Sequence, residues 1–164
     1  VTPTLFEHFP DAPSAAAVEP GVVEPLVRST GFFRNKARNI VAASRLLVER
    51  HQGRVPASME ALLELPGVAR KTANVVLAHA FGINAGVTVD THVKRLSRRL
   101  GLSRQANPVA IEKDLMALVP QAEWENLSIR LIFHGRAICT ARKPHCGSCL
   151  LADLCPSASD LYDA

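Results

Sequence analysis

Four cysteines lie close together near the C-terminal end of the chain and are the residues best suited to hold a metal centre. They are Cys139, Cys146, Cys149 and Cys155, spaced Cys-x6-Cys-x2-Cys-x5-Cys, and they are the 4 cysteines of a 164-residue sequence. Four thiolates within so short a segment can surround one compact centre, and ligation by four cysteines is the usual way to hold a 4Fe-4S cluster. The spacing therefore favours one such cluster.

Zinc and disulfides are the alternatives for these cysteines. A four-cysteine zinc site usually has two short Cys-x2-4-Cys pairs that lie far apart, whereas only Cys146 and Cys149 form such a pair here. Disulfides are disfavoured because a chain of this length can bury a core without cross-links and because we see no secretory segment. Neither alternative is excluded by the spacing alone.

The composition is that of a globular protein with a modest positive charge. Hydrophobic residues make up 48% and charged residues 21% of the sequence. The apolar runs are far shorter than the roughly 20 residues that span a bilayer, so we do not expect a membrane protein. Lys and Arg number 19 against 15 acidic residues, a formal charge of +4, which fits an anionic partner such as nucleic acid.

Basic residues are concentrated after Thr91. On a helix, four of them would share one face opposite Val93, Leu96 and Leu100, with a fifth further along. They are Lys94, Arg95, Arg98, Arg99 and Arg104. Such a face is either a solvated helix surface or part of a platform for nucleic acid.

The spacing of apolar residues at three and four predicts an all-α protein. Turn and capping signals place helices at about 35–50, 58–64, 70–81, 90–100, 108–119 and 121–138. The last of these leads directly into Cys139. The elements that must position the cysteines are therefore helices and short loops.

A Pro-Gly turn, Leu65-Pro66-Gly67-Val68-Ala69, separates two of these helices, and the second begins Arg70-Lys71-Thr72. A helix N-terminus offers free amides and a positive dipole end, which suit a phosphate, although most such turns merely connect helices. Lys71 lies in the first turn, where the dipole disfavours a cation by about 0.3 to 1 kcal/mol. This is an unusual place for a purely structural lysine.

Lys71 and Asp90 are the candidate catalytic residues. Lysine is almost entirely protonated at neutral pH, so a nucleophilic amine needs its neutral form favoured, and we expect burial of Lys71 in a pocket to do this. Asp90 follows Val87-Thr88-Val89 and lies at another predicted helix start. It can cap that helix, take part in catalysis, or do both.

Three motifs in this order resemble the endonuclease III family of DNA glycosylases over nearly the whole chain. They are Leu65-Pro66-Gly67-Val68-Ala69-Arg70-Lys71-Thr72-Ala73, Val89-Asp90-Thr91-His92 and the four-cysteine spacing. The resemblance implies a helix-hairpin-helix fold with two lobes and DNA in the cleft. We expect a helical barrel lobe at 1–103, with the hairpin at 58–81, and a cluster lobe at 104–164, with the cluster loop at 139–155.

The resemblance also implies base excision repair of oxidised pyrimidines, with glycosylase and abasic-site lyase activity. By position, Lys71 matches the Schiff-base lysine and Asp90 the catalytic carboxylate. Adenine-specific relatives lack an amine at this position, so Lys71 argues for a bifunctional enzyme. The expected partner is double-stranded DNA with damaged bases or abasic sites, and we expect a cytoplasmic, DNA-associated monomer. The alternatives are a monofunctional glycosylase with another base preference and a catalytically impaired DNA-binding fragment.

The family's DNA contacts fall on three segments of this sequence. The hairpin supplies Leu65, Gly67, Val68, Ala69 and Arg70. Phe32, within Gly31-Phe32-Phe33-Arg34-Asn35-Lys36-Ala37, matches an apolar wedge, with core packing as its alternative. Arg142 and Lys143, between the first two cysteines, match phosphate contacts, with a solvated basic loop as the alternative.

The chain departs from the family pattern in two places. Ala69 replaces the glycine that is usual at the third hairpin position, which would strain the backbone if φ were positive there. The chain also starts at Val1, without the family's earlier helices and their Leu-Ser-x-Gln-like segment. We therefore expect apolar residues of the last long helix to be exposed, with candidates Leu131, Ile132, Phe133 and Ile138.

Overall fold

The structure, a computed structural model, describes residues 1–162 and contains helices but no strand in that range. The α-helices are α1 (Thr2–His8), α2 (Ala12–Ala16), α3 (Pro20–Val27), α4 (Phe33–His51), α5 (Met59–Glu64), α6 (Arg70–Phe81), α7 (Thr91–Arg99), α8 (Pro108–Leu118), α9 (Trp124–Ala137) and α10 (Ala158–Tyr162). Short 3-10 helices lie at Arg28–Thr30, Gln121–Glu123, Cys146–Ser148 and Ala152–Leu154. The all-α prediction is confirmed. None of the described helices has both the length and the apolar character needed to cross a membrane.

Side-chain caps explain why several predicted boundaries agree with the structure. Ser58 accepts a hydrogen bond from the Ala61 amide at 3.2 Å and starts α5. Asn107 accepts one from the Val109 amide at 2.8 Å and starts α8. The helix predicted from residue 121 is α-helical only from Trp124, because the preceding residues close a tighter 3-10 turn.

No helix is predicted before residue 35, whereas the structure has three that end before that residue, α1, α2 and α3. These helices are short, and proline lies at the start of each and inside α3 as Pro25. A five-residue helix such as α2 is too short to show a helical period, and its start is instead fixed by a reciprocal cap between Asp11 and Ser14. The start of α2 is therefore marked by its cap and not by a periodic pattern of apolar residues.

The chain forms two compact units, the first comprising residues 1–73. In it, α4 packs against α2 and α3. Its core consists of Phe9, Ala15, Val23, Val27, Ala37 and Val41. The Arg45 side chain, on α4, donates to the carbonyls of Ala16 and Val18, both at 3.0 Å, and so holds the end of α2.

The second unit begins at Asn74. Here α7 packs against α8 and α9. Its core consists of Val87, Val93, Leu96, Ile111, Leu115 and Leu131. The division after residue 73 lies within α6, and the lobe boundary expected at 103 stays a prediction.

Exposure of apolar residues on α9 is only partly as expected. Phe133 is 63% exposed, but Leu131 is 6% exposed because it packs into the second core. Ile132 and Ile138 are half-buried. The expectation is therefore correct for Phe133 and wrong for Leu131, whose helical face is already covered by α7 and α8.

Candidate active site and metal centre

The turn between α5 and α6 requires glycine at residue 67. Gly67 has φ of +81°, and a Cβ there would lie 2.6 Å from the side-chain nitrogen of Asn39. The Val68 amide donates to the Leu65 carbonyl at 3.0 Å and closes the turn. Since the Leu65 side chain is buried at 5% exposure, it anchors the turn, and only its main chain is left for contact with DNA.

Ala69 fits the hairpin without strain. Its carbonyl accepts the first helical hydrogen bond of α6, from Ala73 at 3.0 Å, so Ala69 caps the helix. Among the described residues, the side-chain-bearing positions with positive φ are Phe32 and Gln52, so the alanine carries no left-handed penalty. The first amides of α6 have no acceptor within the helix, which makes this end suitable for a phosphate.

Lys71 is exposed in the first turn of α6, together with Thr72. The expectation that Lys71 is buried is therefore wrong for the free chain. The buried side of this turn is occupied by Ala73, at 0% exposure, and Asn74, at 2%. The helix thus directs Lys71 to solvent, where an incoming substrate can reach it. Arg70, one residue earlier, is half-buried.

Asp90 caps α7 with one carboxylate oxygen. Its Oδ1 accepts hydrogen bonds from the amides of His92 and Val93, both at 2.8 Å. Among the described residues, Oδ2 has no hydrogen-bond partner. Capping and chemistry can therefore be divided between the two oxygens of one half-buried side chain.

Buried polar groups hold the segment that leads to Asp90. The side-chain nitrogen of Asn74 donates to Glu112 Oε1 at 2.8 Å, and both residues are buried. Gly86 lies so close to this pair that a Cβ would overlap Oε1 of Glu112. Two residues later, the Thr88 amide donates to the Ser128 hydroxyl at 2.9 Å. The sequence does not reveal these hydrogen bonds, because no local motif links residues nearly 40 positions apart.

The Phe32 side chain is exposed to solvent, and its backbone is strained. The side chain is 90% exposed, and the residue has φ of 48° at the start of α4. A bulky side chain in the left-handed region is an outlier that often marks a functional position. Its neighbour Phe33 packs against the first core and lies beneath the guanidinium groups of Arg28 and Arg34, 5.8 and 5.2 Å from the ring centre. Core packing of Phe32, the alternative considered above, is therefore wrong.

All four cysteines line one small pocket and are half-buried. Burial raises the pKa of the Cys146 thiol, and the negative charges of the other three cysteines raise it further. Such mutual repulsion is relieved when positive metal ions bind between the thiolates. Within residues 1–162, no three potential ligands converge on the position of a single ion. Four thiols that line one pocket are the donor set of a 4Fe-4S cluster, so the residues present fit that group.

Two arginines of α7 bind the start of the loop at residues 139–155, which is called the cysteine loop below. Arg95 donates to the carbonyls of Gly135 and Cys139, both at 2.8 Å. Arg99 donates to the Cys139 sulfur at 3.2 Å and to the Thr140 carbonyl at 2.6 Å. The basic face predicted for α7 is thus divided between the half-buried Arg95 and Arg99, which make these contacts, and the exposed side chains of Lys94 and Arg98. The i, i+4 spacing placed Arg95 and Arg99 together, but the sequence did not reveal their partners.

The loop between Cys139 and Cys146 presents Arg142 and Lys143 to solvent. The Thr140 hydroxyl donates to the Lys143 carbonyl at 2.5 Å, which closes this loop on itself. His134 lies with Nε2 3.5 Å from the Cys149 sulfur, a second neighbour of the cysteines that the sequence analysis missed. The two basic side chains are therefore free to meet an anionic surface while the loop beneath them is fixed.

Comparison with known proteins agrees with this geometry. Residues 1–121 match the HhH-GPD superfamily of base excision DNA repair proteins, and residues 139–155 match the iron-sulfur binding domain of endonuclease III. The second match confirms the predicted 4Fe-4S cluster.

Relatives and solved structures match along almost the full chain. Endonuclease III of Synechocystis is 65% identical over 158 residues, which are 96% of this chain and 72% of that protein. A non-covalent endonuclease III–DNA complex superposes with a TM-score of 0.94 at 42% identity, covering 99% of this chain and 76% of that one. A trapped endonuclease III–DNA covalent intermediate gives 0.92 at 42% identity, covering 97% and 75%. The chain belongs to the endonuclease III family.

Proposed function

We propose that this chain is a base excision repair DNA glycosylase with abasic-site lyase activity, which acts on oxidised pyrimidines through a Schiff base at Lys71. The observation that carries the proposal is the exposed side chain of Lys71 in the first turn of α6, directly after a turn that requires glycine at residue 67. A nucleophile at this position is next to amides that can hold the DNA backbone.

DNA binding precedes the chemistry. A base must leave the stack before its sugar can be reached, and an apolar side chain pushed into the duplex helps to keep it out. We assign this wedge to Phe32, whose strained backbone presents an aromatic ring that no core contact retains. The amides of Gly67 and Ala69, with Arg70, hold the phosphates at the hairpin, while the Val68 amide closes the turn.

The reaction then follows from the two catalytic side chains. The neutral amine of Lys71 attacks C1′ of the damaged nucleotide, and the bond from C1′ to the base breaks with its electron pair leaving on the base. Asp90, through Oδ2, stabilises positive charge on the sugar and takes part in proton transfer. Because Lys71 is exposed in the free chain, the bound DNA must supply the desolvation that favours the neutral amine.

Strand cleavage follows from the imine. Loss of the amine proton and ring opening give an iminium between Lys71 and C1′, which makes the 2′ hydrogen acidic. Removal of that proton forms a double bond and expels the 3′ phosphate, so the strand is cut on the 3′ side of the lesion. Water releases the sugar remnant and restores Lys71.

Cys139, Cys146, Cys149 and Cys155 hold the 4Fe-4S cluster in this proposal. A bound cluster would tie the four cysteines together and would take no part in cleavage, and the loop presents Arg142 and Lys143 to DNA phosphates. Protein purified without oxygen should contain about four iron and four sulfide per chain. Stoichiometric zinc without sulfide would contradict this ligation.

Borohydride trapping on DNA with one abasic site tests the nucleophile. Borohydride reduces the imine to a stable amine, so wild-type protein should become covalently linked to the DNA. Lys71→Gln should abolish trapping while most of the DNA affinity survives. Lys113→Gln, which removes an exposed lysine from α8, is the matched control and should trap normally.

The same assay separates the alternatives. Undiminished trapping by Lys71→Gln would place the nucleophile elsewhere, and mass spectrometry of the linked peptide would identify it. Base release without strand cleavage by the wild-type protein would favour a monofunctional glycosylase. DNA binding without either reaction would favour a binding fragment. Duplexes carrying an oxidised pyrimidine or a mismatched adenine test the base preference.

A further inference from the structure

Arg99 makes a contact that the neighbouring basic residues do not make. Its Nη1 lies 3.2 Å from the Cys139 sulfur and donates to the Thr140 carbonyl at 2.6 Å, while Nη2 donates to the Ala141 carbonyl at 2.9 Å. One guanidinium therefore grips three successive residues at the start of the cysteine loop. The planar fork of arginine can do this, whereas a lysine ammonium cannot reproduce it.

The contact to sulfur differs in kind from the other arginine contacts. Arg95, one turn earlier on α7, reaches the same loop but donates to the carbonyls of Gly135 and Cys139, not to a thiol. Arg98, adjacent to Arg99 in sequence, is exposed. Arg99 therefore brings a permanently charged donor directly to a cysteine sulfur.

A positive donor at a ligand sulfur has a definite electronic consequence. Hydrogen bonds to the sulfurs and local charge are among the factors that set the reduction potential of an iron-sulfur centre. A guanidinium stabilises the more negative member of a redox couple more than the less negative one. Partial burial strengthens this effect, because solvent screens a half-buried charge less than an exposed one.

We propose that Arg99 is a positioning residue for the metal centre, which raises its one-electron reduction potential through Cys139 and keeps that ligand in place. This inference rests on the proposed ligation of the cluster by Cys139. It gives α7 a role beyond the capping carboxylate at its start. The helix begins at the catalytic candidate Asp90 and ends at a residue bonded to a cluster ligand.

Redox titration of the loaded protein without DNA tests the proposal. A reduced viologen passes one electron to the cluster and returns to its dication, and visible absorption with electron paramagnetic resonance follows the populations. Arg99→Gln should shift the potential to more negative values. Arg98→Gln removes the same charge one residue away but leaves the sulfur contact, and its shift should be clearly smaller.

Arg99→Lys separates charge from geometry and serves if Arg99→Gln does not retain the cluster. It should keep most of the potential but lose iron to a chelator several-fold faster than wild type. Equal potentials in Arg99→Gln and Arg98→Gln, or an Arg99→Lys protein identical to wild type in both measurements, would overturn the inference. A folded wild-type protein without iron, or an unaltered cluster in Cys139→Ser, would instead overturn the proposed ligation.

Discussion

The hairpin region, residues 31–71, and the cluster region, residues 90–155, hold their candidate functional side chains in different ways. In the hairpin region, Phe32 and Lys71 are exposed, and backbone geometry at Phe32 and Gly67 presents them. In the cluster region, the cysteines are half-buried and the side chains of Arg95 and Arg99 bind the loop that carries them. Backbone geometry thus positions the functional side chains of the hairpin region, whereas hydrogen bonds from other side chains position the cysteines of the cluster region.

The two regions should therefore respond differently when a functional side chain is replaced. An exposed side chain on a strained backbone can be removed without loss of packing, so its replacement should lower activity without lowering stability. A half-buried side chain that also makes hydrogen bonds contributes to both, so its replacement should affect activity and stability together. Four substitutions test this division, in order of decreasing expected effect.

Asp90 offers the sharpest test in the cluster region, because its two oxygens have separable tasks. Asparagine is as good a helix cap as aspartate, so Asp90→Asn should unfold at the wild-type temperature. Loss of the charge should lower glycosylase and lyase rates by about 10²- to 10⁴-fold. Asp90→Ala should show the same loss of rate and also lose about 1 kcal/mol of unfolding free energy. A fully active Asp90→Asn protein would mean that this carboxylate serves as a cap only.

Gly67 tests the backbone of the hairpin region. Gly67→Ala combines a left-handed φ, which costs about 1 to 2 kcal/mol, with overlap on Asn39, which costs about 1 to 3 more. Gly82→Ala is the matched control, since Gly82 has φ of +67° but no described atom within 4 Å of the added Cβ. Chemical denaturation should show a larger loss for Gly67→Ala. Equal losses would show that the hairpin tolerates a side chain.

Arg142 and Lys143 test whether exposed side chains of the cluster region contribute to DNA binding without contributing to stability. If each holds one phosphate, the double alanine variant should reduce the slope of log affinity against log salt by about 1.8. Its unfolding free energy should stay within about 0.5 kcal/mol of wild type, because both side chains are exposed. Arg104→Ala with Lys113→Ala removes the same charge elsewhere and should leave the slope nearly unchanged. A slope equal to that of wild type would place the phosphate contacts on other residues.

Phe32 should give the smallest effect on stability, and in the favourable direction. Phe32→Gly relieves the left-handed strain of about 1 to 2 kcal/mol and adds a glycine entropy cost of about 0.5 to 1 kcal/mol, a net gain of between zero and about 1.5 kcal/mol. Gln52→Gly relieves similar strain at φ of 55° and should gain similarly. Only Phe32→Gly should lower the rate of base release from duplex DNA. Normal rates in both variants would remove Phe32 from the DNA interface.

Much of the fold could be predicted because its signals are local. The extent of α6 over residues 70–81 follows from a Pro-Gly turn before it and Gly82 after it, and Asp90 and Asn107 cap their helices through neighbouring amides. The three N-terminal helices were missed since they are too short for a period to appear. The positions of α2 and α3 depend instead on packing against α4, and that of α1 on packing against α3.

The sequence by itself determined the chemistry that is available: four cysteines at cluster spacing, an amine in the first turn of a helix, and a carboxylate at another helix start. These are properties of residue type and short spacing, and they survive any tertiary arrangement. Tertiary structure decided which side chains are exposed, for Lys71, Phe32 and Leu131, and which cations serve the cysteine loop. Arg99 lies 40 residues from Cys139, and a contact over that separation depends on how α7 and α9 pack. Helical spacing determines which side chains share a face of a helix, but the partners of those side chains depend on how the helices pack.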